Sequence, residues 1–152
     1  MRVEKIMTKE VMTVSENDTV ETCANLLSTH DLSGLPVIDE EGLLKGIITE
    51  GDLIKHNTSV QVPAFLEILG GIIYLDDPNK YLENVKKSMG HFTKTVMTKE
   101  VITVKKDEEI ENAAAIMSRK KIKRLPVVND VGQLVGIISR KDIMDYLFNK
   151  ED

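Results

Sequence analysis

The dominant constraint on this chain is an internal repeat. Adding 90 to a residue number maps much of its N-terminal third onto its C-terminal third with no gap. Met7-Thr8-Lys9-Glu10-Val11 recurs as Met97-Thr98-Lys99-Glu100-Val101, Thr13-Val14 as Thr103-Val104, and Leu35-Pro36-Val37 as Leu125-Pro126-Val127. Gly46-Ile47-Ile48 followed by Asp52 returns as Gly136-Ile137-Ile138 followed by Asp142. The match runs from about Ile6 to Ile54, so the chain carries two copies of one supersecondary unit, residues 1–56 and 95–152, flanking a non-repeated segment 57–94. Two copies predict a pseudo-twofold arrangement.

Each copy reads alike. A short extended piece at Thr13-Val14 precedes Asp18 and, three residues on, Glu21, a spacing that predicts a capping box. The helix it opens carries Val20, Cys23, Ala24 and Leu27 on one face, repeated as Ile110, Ala113, Ala114 and Met117. Leu35–Ile38 and Leu43–Ile48 are β-rich runs joined by the turn Asp39-Glu40-Glu41-Gly42, and a second helix is predicted to begin near Thr49. The expected class is α/β (α+β), with the order β-α-β-β-α occurring twice. A unit of about 50 residues buries too little surface to be stable alone. The two copies are therefore expected to pack together and to offer a ligand cleft between them. In the non-repeated segment, Pro63 precedes Ala64, Phe65, Leu66, Ile68 and Leu69, Gly70-Gly71 interrupts, and a further helix is predicted from Asp77-Pro78 to Gly90. This helical insertion reads as a linker packed on its own domain, or as a dimer contact or flap.

Composition narrows the function. With 152 residues, 41% hydrophobic and 30% charged, the chain should fold as a soluble protein, and its net charge of −5 gives no global pull toward nucleic acid or anionic lipid. The one cysteine, Cys23, cannot form an internal disulfide, and His30, His56 and His91 are too scattered for a metal-ligand spacing, so no metal site is expected. No secretory leader or membrane span is recognised, which reads as a cytoplasmic protein. No Ser/His/Asp, Cys/His or P-loop arrangement appears, so no enzyme activity and no catalytic residues are expected.

The duplicated Met-Thr, Leu-Pro-Val and Gly-Ile-Ile-Thr/Ser-x-x-Asp pattern resembles the cystathionine β-synthase (CBS) domain pair, also called a Bateman module, over about two-thirds of the chain. The resemblance implies a regulatory module binding adenosine-containing ligands such as AMP, ADP, ATP or S-adenosylmethionine between the paired copies, commonly as a homodimer. It implies that Thr49 with Asp52, and Ser139 with Asp142, contact phosphate and ribose. It also makes Arg124, directly before the second Leu-Pro-Val, a phosphate contact, and adds Thr13, Thr103, Val37, Val127 and Arg140 as further candidate ligand contacts. Elementary chemistry agrees: a hydroxyl at a helix start sits beside unpaired N–H groups, and an acid one turn along suits ribose hydroxyls. Thr-x-x-Asp is equally a helix cap, and the two roles are compatible.

The copies differ in charge. Glu50-Gly51 beside Thr49 becomes Arg140-Lys141 beside Ser139, and Ser33-Gly34 becomes Lys123-Arg124. Residues 1–56 hold 5 basic and 11 acidic side chains, net −6, whereas 96–152 hold 11 and 10, net +1. A charge pair about 4 Å apart is worth roughly 4 kcal/mol at an effective dielectric of about 20, so the flip can decide ligand charge. The second motif is expected to favour a phosphorylated adenosine, the first an uncharged or cationic derivative. The basic run Arg119–Arg124 has no interleaved aromatics and reads as a solvated helix end rather than a nucleic-acid surface. The chain holds no effector domain in this reading, so a signal must leave through a protein partner or through oligomerisation. A ligand-free dimerisation or interaction scaffold, with both motifs serving as caps alone, is the alternative.

Overall fold

The computed structural model describes residues 1–57 and 91–149. The helices expected between Pro63 and Gly90 lie outside them. The described chain runs through a 3-10 turn (Val3–Lys5), β1 (Val14–Ser15), α1 (Val20–Thr29), β2 (Gly34–Ile38), β3 (Leu44–Thr49) and α2 (Glu50–Asn57). It continues with α3 (Thr93–Val96), β4 (Val104–Lys105), α4 (Ile110–Lys120), β5 (Arg124–Val128), β6 (Leu134–Ser139) and α5 (Arg140–Phe148). The β-α-β-β-α order thus occurs twice, with the sheets ordered β1-β2-β3 and β4-β5-β6. Both hairpins turn through a glycine with φ above +80°, Gly42 and Gly132, a backbone conformation costly for any residue with a Cβ. Of the predicted apolar stripes, Val20, Cys23 and Leu27 on α1 and Ile110, Ala113 and Met117 on α4 are buried, while Ala24 and Ala114 are half-buried.

One local expectation is corrected. The cap of α1 is Thr19, whose hydroxyl accepts the Thr22 N–H, and not Asp18 with Glu21. The Asp18 carboxylate instead accepts the Ser15 N–H at 2.8 Å, while its carbonyl is claimed by the Thr93 N–H and hydroxyl, both at 2.8 Å. With its carbonyl held by a distant segment and its N–H on the Ser15 carbonyl, Asp18 ends the turn after β1 and Thr19, one residue later, becomes the cap.

The described residues form two compact units that cut across the repeats. The second-repeat unit holds Met1–Thr13, Ile38–Lys45 and the described part of Glu100–Asp152; the first-repeat unit holds Val14–Val37 and the described part of Gly46–Lys99. The leading segment of each repeat is therefore built into the body of the other. Val3 N–H bonds the Glu108 carbonyl, Glu4 N–H that of Lys106, and Ile110 N–H that of Met1. In the first-repeat unit the same bonds link Thr93 to Asp18, Lys94 to Glu16 and Val20 to His91, every partner displaced by 90 residues. The buried apolar side chains follow suit. Val3 joins Val104, Ile110, Ala113, Leu125, Val127 and Ile138 in one cluster; Val14, Cys23, Leu27, Leu35, Val37 and Ile48 form another.

Val3 and Ala113, in one buried cluster, correspond to Thr93 and Cys23 in the other unit, and all four are fully buried. The Thr93 hydroxyl spends its single hydrogen on the Asp18 carbonyl, so the Cys23 thiol donates to Thr93 Oγ1 across 3.0 Å. Replacing Thr93 alone would leave the buried Cys23 thiol without its acceptor, whereas the Val3 and Ala113 combination has no side-chain polar atom to satisfy.

The leading segments also cover strand edges. Thr8 exchanges both backbone hydrogen bonds with Ile137 at 2.8 and 2.9 Å, and Thr98 does so with Ile47 at 2.9 Å each. Because the Ile137 N–H and carbonyl point to Thr8, Pro126 owes β6 no N–H, and its nitrogen faces the opposite side, ahead of β4, which begins only at Val104; this reconciles a proline with a central strand. The approach is close. A Cβ on Gly136 would meet Met7 Sδ at 2.6 Å and the Thr8 carbonyl at 2.9 Å; one on Gly46 would meet the Thr98 carbonyl at 2.7 Å. Gly136→Ala and Gly46→Ala are each expected to cost about 1–3 kcal/mol, since backbone and not only a flexible side chain must give way. Thermal unfolding reads this, and an unchanged Tm in both would contradict the packed leading segments. Burial pushes the Cys23 thiol above its ordinary pKa, opposed by the Thr93 hydrogen bond. Cys23 is therefore expected to resist a thiol reagent in native protein and to react in denaturant; fast native labelling would contradict its burial.

Candidate functional site

Each β-hairpin ends where its second strand turns directly into a helix. At the end of β6, Ser139 Oγ accepts the Asp142 N–H at 3.1 Å and Asp142 Oδ2 accepts the Ser139 N–H at 2.8 Å, a reciprocal cap. At the end of β3, Thr49 and Asp52 repeat it, at 3.1 and 3.0 Å. Both predicted Thr/Ser-x-x-Asp motifs are thus helix caps. Each cap uses one carboxylate oxygen and leaves the other open to a further role.

That second oxygen differs between the copies. Thr98 Oγ1 donates to Asp52 Oδ1 at 2.8 Å, so both oxygens of Asp52 are engaged. Thr8 holds the equivalent register against Ile137, but among the described residues Asp142 Oδ1 accepts no hydrogen bond. Thr98 belongs to the repeated Met-Thr-Lys-Glu-Val block, yet that block carries no sign of which carboxylate it will meet, because the meeting depends on the exchange of leading segments.

The flanking charges gather at the second motif. Arg124 pairs directly with Ser139 across β5 and β6, the Arg140 N–H bonds the Lys123 carbonyl at 2.9 Å, and Arg140 Nε donates to the Ile122 carbonyl at 3.1 Å. Lys123, Arg124, Arg140 and Lys141 are exposed around the start of α5, and Lys141 pairs with Asp145 at 2.6 Å. The structure therefore brings Arg124, Ser139, Arg140 and Asp142 together. Val127 pairs with Val104, the neighbour of Thr103, but Val127 and Val37 are fully buried, so only their backbone can face a ligand. Thr13 and Thr103 are half-buried, and among the described residues neither hydroxyl makes a hydrogen bond. At the first motif Glu50 N–H bonds the Ser33 carbonyl at 3.1 Å, and the position matching Arg124 is Gly34.

On α4 and α5 a depression of about 290 Å³ is lined by Ala114, Met117, Ser118, Arg140, Ile143 and Met144. Beside it, Leu147 and Phe148 stand 51% and 73% exposed. Among the described residues no helix is long and apolar enough to cross a membrane.

Comparison with known proteins agrees with this geometry. The profile of the CBS domain matches twice, over residues 3–58 and 94–149. A curated relative, the uncharacterized protein MJ1426 of Methanocaldococcus jannaschii, is 33% identical over 97% of this chain and 91% of its own length. Some other curated relatives are longer proteins, of which the chain spans 23% or 24%. Among solved structures, CBSX2 in complex with AMP is 25% identical with a TM-score of 0.69, covering 97% of this chain and 96% of that one. The CBS domain pair of MJ0100, in complex with 5′-methylthioadenosine and S-adenosyl-L-methionine, is 28% identical with a TM-score of 0.65, covering 99% and 98%. The two profile matches fall on the two β-α-β-β-α repeats, and the chain belongs to the CBS-domain family as a tandem pair.

Proposed function

We propose that this protein is a non-catalytic, cytoplasmic regulatory module that binds an adenosine-containing ligand, and that its second motif takes a phosphorylated adenosine. The observation that carries the reading is the pairing of Arg124 with Ser139 beside a carboxylate of which one oxygen is unengaged among the described residues. Asp142 Oδ1 accepts ribose hydroxyls, the Ser139 hydroxyl and the start of α5 receive phosphate, and Arg124 neutralises it, with Arg140 adding to the local field. Thr103 and the backbone of Val127 border the same motif. Neighbours solved with AMP and with S-adenosyl-L-methionine support the ligand class. At the first motif Asp52 is already held by Thr98 and the position matching Arg124 is Gly34, so an uncharged or cationic derivative fits Thr49, Asp52 and Val37 better.

Occupancy favours one relative orientation of the two CBS repeats, and the signal leaves through homodimer contacts or a protein effector, limited by the difference in affinity for the two states. The apolar exposure of Met144, Leu147 and Phe148 supports a homodimer contact on α5. Titration of AMP and adenosine tests the site. Arg124→Ala is expected to weaken AMP by about tenfold or more while leaving adenosine nearly unchanged, and Asp142→Ala to weaken both, in line with about 1.5–3 kcal/mol for a charge-assisted hydrogen bond. Unchanged AMP binding in both variants would reject the assignment.

The complete reciprocal caps also favour a second reading, a ligand-free interaction scaffold. A thermal-shift series with adenine nucleotides separates the two: a binder gains about 2.7 kcal/mol at a ligand concentration of 100 Kd, and a scaffold gains nothing.

A further inference from the structure

The second-repeat unit takes in Ile38–Lys45, the tip of the hairpin that β2 and β3 make, and so holds the tips of both hairpins. The two tips are joined to each other. Leu44 N–H donates to the Gly132 carbonyl and Leu134 N–H to the Gly42 carbonyl, each at 3.1 Å, which sets Leu43 opposite Gln133 in antiparallel register. Each turn glycine serves both hairpins. The Gly42 N–H closes its own turn on the Asp39 carbonyl and the Gly132 N–H closes its own on that of Asn129, at 3.1 Å each, while the two glycine carbonyls are spent across the join.

The side chains break this symmetry. Asp39 and Asn129 hold their turns alike, Oδ1 of the first accepting the Glu41 and Leu43 N–H groups and Oδ1 of the second those of Val131 and Gln133. Asparagine has amide hydrogens to give as well. Asn129 Nδ2 donates to Gln133 Oε1 at 2.9 Å, and Gln133 Nε2, so held, donates to the Glu41 carbonyl of the other hairpin at 2.9 Å. The matching residue of the first copy is Leu43, which has no polar side-chain atom, and the Asp39 carboxylate, with no hydrogen to give, meets Lys45 at 3.6 Å. One copy therefore supplies a brace that reaches the other.

We infer that the two hairpin tips are a clasp between the repeats, braced by Gln133, that stays shut whether or not a ligand is bound. Parting the tips breaks the two backbone bonds and the Gln133 bond together, so a reorientation of the repeats takes place behind the clasp and not by opening it. The part concerning ligand rests on the adenosine reading above; the clasp itself does not.

Hydrogen exchange reads the clasp without a ligand. The Leu44 and Leu134 amides, both donated across the join, are expected to be protected to within about threefold of each other. Gln133→Ala is expected to speed both by about five- to tenfold and to leave Leu43, whose N–H is held by Asp39 in its own hairpin, within about twofold. Unequal protection, or exchange that Gln133→Ala does not move, would overturn the braced clasp. Cross-linking reads whether it opens. Leu43 and Gln133 form the close kind of antiparallel pair, with Cα atoms about 4.5 Å apart, a separation that suits a disulfide. Leu43→Cys with Gln133→Cys is expected to cross-link on mild oxidation, and the oxidised protein to bind AMP within about threefold of the reduced form. Failure to cross-link would overturn the join, and a larger loss of AMP affinity on oxidation would overturn a clasp that stays shut. If wild-type protein binds neither AMP nor adenosine, the adenosine reading falls, and exchange and cross-linking still decide the clasp.

Discussion

The structure depends on the exchange of leading segments. Each repeat lacks one buried side chain in its core, a partner for the first helical N–H groups and a cover for one strand edge. The segment that supplies all of these lies 90 residues away in the sequence, at the start of the other repeat. Val3 and Thr93 are the buried anchors, Thr8 and Thr98 the edge covers, and Gly136 and Gly46 the positions kept bare so that the backbones can approach. Small domains with so little interior are marginal, and an exchange of this kind makes both halves of the chain necessary for either core.

The exchange also reaches the motifs. Because Thr98 is hydrogen-bonded to Ile47, its hydroxyl stands within 2.8 Å of Asp52, and a carboxylate that caps a helix becomes fully engaged. The second copy has the same backbone register but, among the described residues, leaves one Asp142 oxygen without a hydrogen bond. Around it, Arg140 ties the loop at Ile122 and Lys123 to the start of α5 and holds Arg124 beside Ser139. Duplicated local geometry therefore supports two chemically unlike motifs, and the differences sit in side chains that leave the backbone unchanged.

Much of this was legible in the sequence because it is local. The element order, the buried stripes of α1 and α4, the hairpin glycines and the start of the second helix at Thr49 all follow from spacings of two to four residues, and the structure has them. The residues that are candidates by resemblance are placed differently by the fold. Arg124, Ser139, Arg140 and Asp142 come together, while Val37 and Val127 turn their side chains into the cores. The cap of α1 was misplaced by one residue, since Asp18 offers the right side chain but its backbone is held by Thr93. No local pattern could announce that.

The sequence by itself determined the duplication, the secondary structure and the two caps, because hydrophobic periodicity and capping are decided within one or two turns of chain. Only the tertiary structure decided which segment completes which repeat, why Thr93 faces Cys23, and which carboxylate Thr98 meets. It alone set Arg124 against Ser139. These contacts join residues on different strands and segments, and hydrogen-bond reach is fixed only once those segments lie side by side.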